Sequence, residues 1–244
     1  MKKIVALILC LAVGEMLFPG LARAQDDYTL FRRGAGEASL LYRGHKSFDY
    51  YMLYNGTPFL ETPVFRPGTV VYNSKLYSGV ELNIDASRQE LIVRIGKGVS
   101  NKVLGREFVE QCTIDGRRFL NLQYHMGPSA PDGYWEVLYD GRNKVLRRVK
   151  KKLEQDVDGS RRDQTHYDGA YRYDVYQTFT YSADFCYLTE DGRVIPCRRR
   201  KDVLKLVDKS QRSEVRRYIR QLERTDMLPF SSYFVAVAHY LETR

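Results

Sequence analysis

Residues 134–153, YWEVLYDGRNKVLRRVKKKL, can be read in two ways, and the choice decides the fold. Read as a helix, the second half aligns Leu146, Val149 and Leu153 on one side. Read as a strand, it is the return arm of a hairpin whose loop is Asp140 to Asn143. That register sets Leu138 opposite Val145, Val137 opposite Leu146, Glu136 opposite Arg147, and Trp135, the only tryptophan, opposite Arg148. Two apolar pairs, an ion pair and a cation–aromatic pair each favour cross-strand contact. Periodicity over so short a basic segment is ambiguous, so the chemistry of the pairs selects the strand.

The surrounding chain has the same texture. From Tyr28 to about Arg200, short runs rich in Val, Ile, Tyr, Phe and Leu alternate with polar residues and stop at turn pairs. TVVYN and LYSGVELNI flank Asn73-Ser74, ELIVRI follows DASRQ, and REFVEQCTI and RRFLNL flank Asp115-Gly116. No long 3.6-residue period appears in this region, which excludes a helical bundle. The run EQDVDGSRRDQTHYDGAY, residues 154–171, is polar and reads as a long exposed loop. After CRRRK the period changes. DVLKLVDK predicts a short helix, and SEVRRYIRQLER a longer one with Val215, Tyr218, Ile219 and Leu222 on one face. Arg216, Arg217, Arg220 and Glu223 occupy its other faces and read as a solvated surface. A last helix follows MLPF, with Ser231 or Ser232 as cap and Phe234, Val237, Ala238 and Leu241 as its apolar stripe.

The stretch CYLTEDGRVIPC contains two of the four cysteines. With Asp191-Gly192 as a two-residue turn, Cys186 falls directly opposite Cys197, where Cα atoms lie about 5.5 Å apart, and this register predicts a disulfide. Cys112 is left as a buried strand residue. No Cys-x-x-Cys or His-x-x-x-His is present, and His45, His125, His166 and His239 are scattered, so neither a metal nor another cofactor is expected.

The first residues, MKKIVALILCLAVGEMLFPGLARAQDD, have the three parts of an export signal: Lys2 and Lys3, an apolar core from Ile4 to Val13, and Ala22-Arg23-Ala24. Cleavage is expected between Ala24 and Gln25. The resulting expectation is a soluble periplasmic or extracellular protein, with no transmembrane segment after signal removal. Loss of Lys2, Lys3, Arg23 and Glu15 lowers the formal charge of +9 by two. The remaining excess favours polyanions and head groups. Nucleic acid is not expected as a partner outside the cytoplasm; anionic glycans and lipids are.

No Gly-x-Ser-x-Gly, His-Glu-x-x-His or phosphate-binding glycine loop occurs, and Glu61, Asp85 and Glu90 read as ordinary loop and strand residues. GRRFLNLQYHMG and THYDG place histidines near other polar groups without forming a dyad. No catalytic residue is assigned. The 19 tyrosines exceed the 11 phenylalanines, with clusters at Tyr50, Tyr51 and Tyr54 and at Tyr167, Tyr171, Tyr173, Tyr176 and Tyr181. They read first as sheet construction and second as an aromatic groove for a lipid, glycan or peptide.

The order Gly-x-Pro-Phe, Phe-x-x-Gly-x-Val-x-Tyr-Asn, Tyr-x-x-Val-x-Leu and Glu-Leu-Ile-Val in GTPFLETPVFRPGTVVYNSKLYSGVELNIDASRQELIV resembles a family of exported, tyrosine-rich β proteins from Bacteroidetes-type Gram-negative bacteria. GYWEVLYDGRNKVLRRVKKKL and CYLTEDGRVIPCRRRKDVLKLV, followed by two helices, resemble the later parts of that family. The two hairpin cysteines depart from its pattern. The resemblance implies export and a β-then-helix order, and no activity or site residue.

The expected protein thus has a signal peptide over residues 1–24, an antiparallel β domain over 25–200 and a helical segment over 201–244 packed on it. It is mainly β, a barrel or strongly curved sheet with two or three C-terminal helices. The expected function is non-enzymatic: an envelope protein binding a hydrophobic or glycan ligand. A structural or interaction component of the envelope is the alternative, and a hydrolase with a site hidden from sequence comes third.

Overall fold

A computed structural model describes residues 40–51, 54–94, 96, 100–158, 174–225 and 228–243. The chain divides into a unit Met1–Arg43, described only at a 3-10 turn, Leu40–Tyr42, and a unit Gly44–Arg244, which contains everything that follows. The expected cleavage site at Ala24 and Gln25 lies outside the described residues.

Ten strands form one antiparallel sheet: β1 (Arg66–Tyr72), β2 (Lys75–Asp85), β3 (Glu90–Arg94), β4 (Lys102–Val103), β5 (Val109–Ile114), β6 (Arg117–Asn121), β7 (Tyr134–Tyr139), β8 (Lys144–Asp158), β9 (Asp174–Leu188) and β10 (Val194–Pro196). Their order is β10-β9-β8-β7-β6-β5-β1-β2-β3-β4. β4 and β10 are the ends of that order, so the sheet is open and the barrel alternative is corrected. The turn between β2 and β3 nevertheless reaches back to β8. Lys151 donates its backbone N–H to the Ala86 carbonyl at 3.1 Å, and the Gln89 amide donates to the Val149 carbonyl at 2.8 Å.

The turn chemistry explains most of the meander. Asn73 and Ser74 have φ of 50° and 60°, and Asp115 and Gly116 have 51° and 75°. These left-handed pairs twist in the sense that antiparallel strands require. β1 and β5 come together at Gly68, where the ladder of β1 on β2 shifts by one residue. A Cβ at Gly68 would lie 2.0 Å from the Thr113 carbonyl oxygen, so only glycine permits that approach. Beside it, the Thr69 and Thr113 hydroxyls hydrogen-bond at 2.8 Å.

The hairpin of residues 134–153 is a strand pair, with Glu136 opposite Arg147 and Val137 opposite Leu146 as the pairing chemistry predicts. Beyond Val137 the register shifts, and Tyr139 takes the place opposite Val145 expected for Leu138. The Arg148 guanidinium lies 5.0 Å from the Trp135 ring centre. β8 continues to Asp158, so Glu154 to Asp158 are strand, not loop. The remainder of that expected loop, residues 159–171, lies outside the described residues.

The disulfide expectation fails by one residue of register. Thr189 and Arg193 close a three-residue loop: the Thr189 N–H donates to the Arg193 carbonyl at 3.0 Å, and the Arg193 N–H donates to the Thr189 hydroxyl at 3.0 Å. Gly192 takes the left-handed position, φ 79°. Pairing therefore begins at Leu188 opposite Val194, and Pro196, not Cys197, faces Cys186. Because a shift of one residue changes which side chains face each other, the slip takes the two thiols out of the directly opposed position. Cys186 packs with Leu120, Leu122, Trp135 and Leu146, and Cys197 with Val145, Tyr187 and Val203. Cys112, Cys186 and Cys197 are all free and buried. Burial pushes all three thiols upward, Cys197 to about 12. In the chain beginning at Gln25, which lacks Cys10, alkylation of the native protein is accordingly expected to be slow, and alkylation after denaturation without reductant should modify all three by intact mass. Modification of Cys112 alone would show that the bridge forms.

Three α-helices are described: α1 (Leu122–Met126), α2 (Arg212–Thr225) and α3 (Phe230–Glu242), together with 3-10 turns at Arg106–Phe108 and Arg200–Lys205. DVLKLVDK thus forms a 3-10 turn ending at Lys205, entered through Asp202, whose carboxylate accepts the N–H groups of Arg198 and Arg199 at 3.0 and 2.9 Å. α3 starts at Phe230 behind Pro229, without a side-chain cap, so neither Ser231 nor Ser232 has the capping role. Proline fixes φ near the value a helix start needs. Tyr187, Tyr233, Phe234, Val237 and Ala238 form the layer between β8, β9 and the helices. The Tyr187 hydroxyl donates to the Phe234 carbonyl at 2.9 Å. Tyr218 of α2 stacks on Tyr240 of α3 with ring centres 3.8 Å apart.

Candidate functional site

The C-terminal elements enclose a cleft of about 730 Å³. One wall is the 3-10 turn, with Arg200, Lys201 and Leu204; the other is the face of α2 bearing Ser213, Arg216, Ile219, Arg220 and Glu223. Helical spacing creates that second wall: Ser213, Arg216, Arg220 and Glu223 recur at three or four residues and project along one side. Tyr233 of α3 also borders the cleft. Its ring lies 5.1 Å beneath the Arg200 guanidinium, and its hydroxyl donates to the Arg200 carbonyl at 3.4 Å. Burial, with a smaller contribution from the charge of Glu223, pushes the Tyr233 hydroxyl up to about 12. It stays neutral and serves as a donor.

Charge is unevenly spent in this cleft. Arg200 is held by Glu223 at 3.5 Å and by the Leu228 carbonyl at 3.2 Å. Lys201, Arg216 and Arg220 have no carboxylate within ion-pair distance among the described residues; Arg220 donates only to the Arg216 carbonyl, at 3.4 Å. Several basic side chains of the sheet, by contrast, have acidic neighbours. Arg117 and Arg147 enclose the buried Glu136, Arg148 and Lys150 hold Asp184, and Arg118 and Lys144 share Asp140. The cleft therefore presents an excess of three positive charges with hydroxyl donors at its edges, and this arrangement attracts and orients an anion.

The residues singled out in the sequence are dispersed. Cys186 and Cys197 border a second cleft of about 500 Å³ with Trp135, Arg148 and Asp184. Cys112 lies in β5 opposite Phe119. Asp85 is buried. Its carboxylate accepts the Tyr50 hydroxyl at 2.7 Å and the N–H groups of Ser87 and Arg88 at 2.9 and 3.0 Å. Burial raises its pKa against these bonds. Asp85 anchors a turn, Glu61 pairs with Arg117 at 2.5 Å, and Glu90 pairs with Arg88 at 3.2 Å. Tyr50 and Tyr54 pack edge-on with Phe179, at ring separations of 5.6 and 5.0 Å, and hold the segment before β1 against β9. Tyr77, Tyr134, Tyr187 and Tyr233 are core. Tyr181 is exposed; the Tyr176 side chain and Tyr167, Tyr171 and Tyr173 lie outside the description. Tyr51 is also exposed, its hydroxyl donating to the Asp49 carboxylate at 2.7 Å, so it is the buried tyrosines that build the sheet and its packing. Among the described residues, no group of three or more His, Cys, Asp or Glu could hold a metal ion, and no helix is long and apolar enough to cross a membrane.

Comparison of the chain with protein-family models, with curated proteins and with solved structures gives no match. Arg200 and Lys201 carried no functional expectation in the sequence. Their signal was the run CRRRK placed shortly before a helix with arginines at i and i+4, whose meeting depends on the intervening turn.

Proposed function

We propose that this chain is a non-enzymatic, exported protein of the cell envelope that binds an anionic ligand, an acidic glycan or an anionic lipid head group, in the basic cleft. The observation that carries this reading is the trio Lys201, Arg216 and Arg220 facing about 730 Å³ of open space without a carboxylate partner among the described residues. Among the described residues the lining offers charge and hydroxyl groups but no histidine, cysteine or carboxylate pair, which supports binding rather than bond cleavage as its role. Export rests on the signal-like first 24 residues and on the resemblance to exported β proteins. A hydrophobic ligand is less suited to so basic a lining.

The test is native mass spectrometry of the chain beginning at Gln25, repeated after denaturation, alongside binding to an immobilised sulfated or uronic glycan. Arg216→Gln/Arg220→Gln is expected to weaken glycan binding at least tenfold at low ionic strength, with the difference shrinking as salt is raised. Both side chains are exposed, so thermal unfolding of the variant should match the parent. Unchanged affinity would remove the cleft from consideration.

A second reading, an interaction component of the envelope, is favoured by the tip of the β1–β2 hairpin. Leu76, Phe108, Tyr124 and Met126 are all at least 36 % exposed there, with the Asn73 N–H on the Phe108 carbonyl at 2.8 Å and the Ser74 and Tyr124 hydroxyls 3.5 Å apart.

A further inference from the structure

Resting on the anion-binding reading, we infer that the group held in the cleft is a phosphomonoester, gripped as a dianion between the 3-10 turn and α2. Two features favour phosphate over a carboxylate or a sulfate ester. The first is fork chemistry: Arg216 and Arg220 stand one turn apart on one face of α2, and guanidinium groups at this spacing can each direct two N–H groups at a tetrahedral oxyanion. The second is charge matching. The three cations without acidic partners among the described residues can neutralise a doubly charged group and still leave one positive charge for a neighbouring acidic substituent, whereas a single carboxylate leaves two positive charges uncompensated.

Each wall has a distinct role. Lys201, on the 3-10 turn, faces α2 as a point charge that adapts to the position of the phosphate. Arg200 is held by Glu223, the Leu228 carbonyl and the Tyr233 ring, which makes it a fixed post rather than a mobile clamp. Ser213 adds a hydroxyl on the α2 side, and Leu204 and Ile219 supply the apolar surface on which the esterified body of the ligand rests. Glu223 is the only carboxylate among the described residues of the lining, and its pairing with Arg200 reduces its repulsion of an incoming anion.

Phosphomonoesters and sulfate differ in one accessible property. The second proton of a phosphomonoester dissociates near pH 6, whereas sulfate remains doubly charged throughout the range. Among the described residues, the charged and titratable groups facing the ligand are Arg200 and Lys201 from the 3-10 turn, Arg216, Arg220 and Glu223 from α2, and Tyr233 from α3; none is a histidine. A change in affinity across this range therefore reports the charge of the ligand.

The experiment is calorimetric titration of the full chain with methyl phosphate and with inorganic sulfate, together with co-sedimentation on phosphatidylcholine vesicles with and without phosphatidic acid. Methyl phosphate is expected to bind more tightly than sulfate and to weaken about tenfold between about pH 7.5 and about pH 5, while sulfate binding stays flat. Arg216→Gln/Arg220→Gln should abolish the preference while its melting temperature is unchanged. Co-sedimentation with phosphatidic acid would assign the phosphate to a lipid head group, and binding of methyl phosphate alone would assign it to a soluble ester; either outcome supports the inference. Sulfate binding as tight as phosphate at every pH would overturn the phosphate assignment and leave the anion-binding reading standing. Absence of binding by both anions, or binding unaffected in the double variant, would overturn both.

Discussion

Phe234→Ala lowers the free energy of unfolding by about 4 kcal/mol, the range expected when a fully buried phenylalanine is truncated. Phe234 is 0 % exposed and touches the rings of Phe185, Tyr187, Phe230 and Tyr233 at centre separations between 4.6 and 5.8 Å. Those contacts join α3 to β9, so the loss concentrates where the helices meet the sheet. Urea denaturation should show a lower midpoint. Anion binding should be lost at denaturant concentrations that leave the sheet intact by circular dichroism, because both walls of the cleft depend on α3. Loss of binding only together with the sheet would show that helices and sheet unfold as one unit.

Glu136→Ala costs about 3 kcal/mol, at the low end for removing one member of a buried ionic group because the arginines retain some contact with water. Glu136 is 6 % exposed in β7. Its carboxylate accepts from Arg117 Nε at 2.8 Å and from Arg147 Nε and Nη2 at 2.9 and 2.5 Å. The variant leaves Arg147 without that partner, whereas Arg117 keeps Glu61. Burial by itself would raise the pKa of Glu136, but hydrogen bonds from Arg117 and Arg147 outweigh burial and hold it below the ordinary value of 4.5. A depressed folded-state pKa means stability that is fully present above the unfolded-state value and lost as pH falls through the folded-state value. The parent chain should therefore lose stability more steeply than Glu136→Gln as the pH drops below 4.5. Parallel curves for the two proteins in that window would show that the triad contributes no charge-dependent stability.

The strands were legible wherever pairing chemistry is local. Glu136 against Arg147 and Trp135 against Arg148 could be read because a hairpin brings near neighbours together, and the turns at Asn73-Ser74 and Asp115-Gly116 because few residues accept positive φ. The cysteine hairpin was misread by a single position. Asp-Gly is compatible with a two-residue turn and with a three-residue loop, and the Thr189 side chain, hydrogen-bonded into the loop, selects the latter. The open order of the sheet was not legible, because closure depends on whether β4 and β10 meet, which no local pattern records. The cleft was only half legible: the α2 arginines were visible as a face, but what they face is set by the turn at Arg200–Lys205 and by Tyr233.

The place of β1 in the sheet also dictates an order of assembly. Strands β1 to β4 form a self-contained meander, and so do β5 to β10, but the seam between them is β1 on β5, where Thr69 meets Thr113 across 44 residues of chain. Each half can zip from its own turns, whereas the seam must wait for a long loop to close, and such late non-local pairings slow folding. Until then, the early half exposes an unsatisfied backbone edge along β1. A chain emerging from a ribosome or a translocation pore in this order would carry that edge until β5 arrives, which makes the interval before the seam closes the period when a chaperone has most to protect.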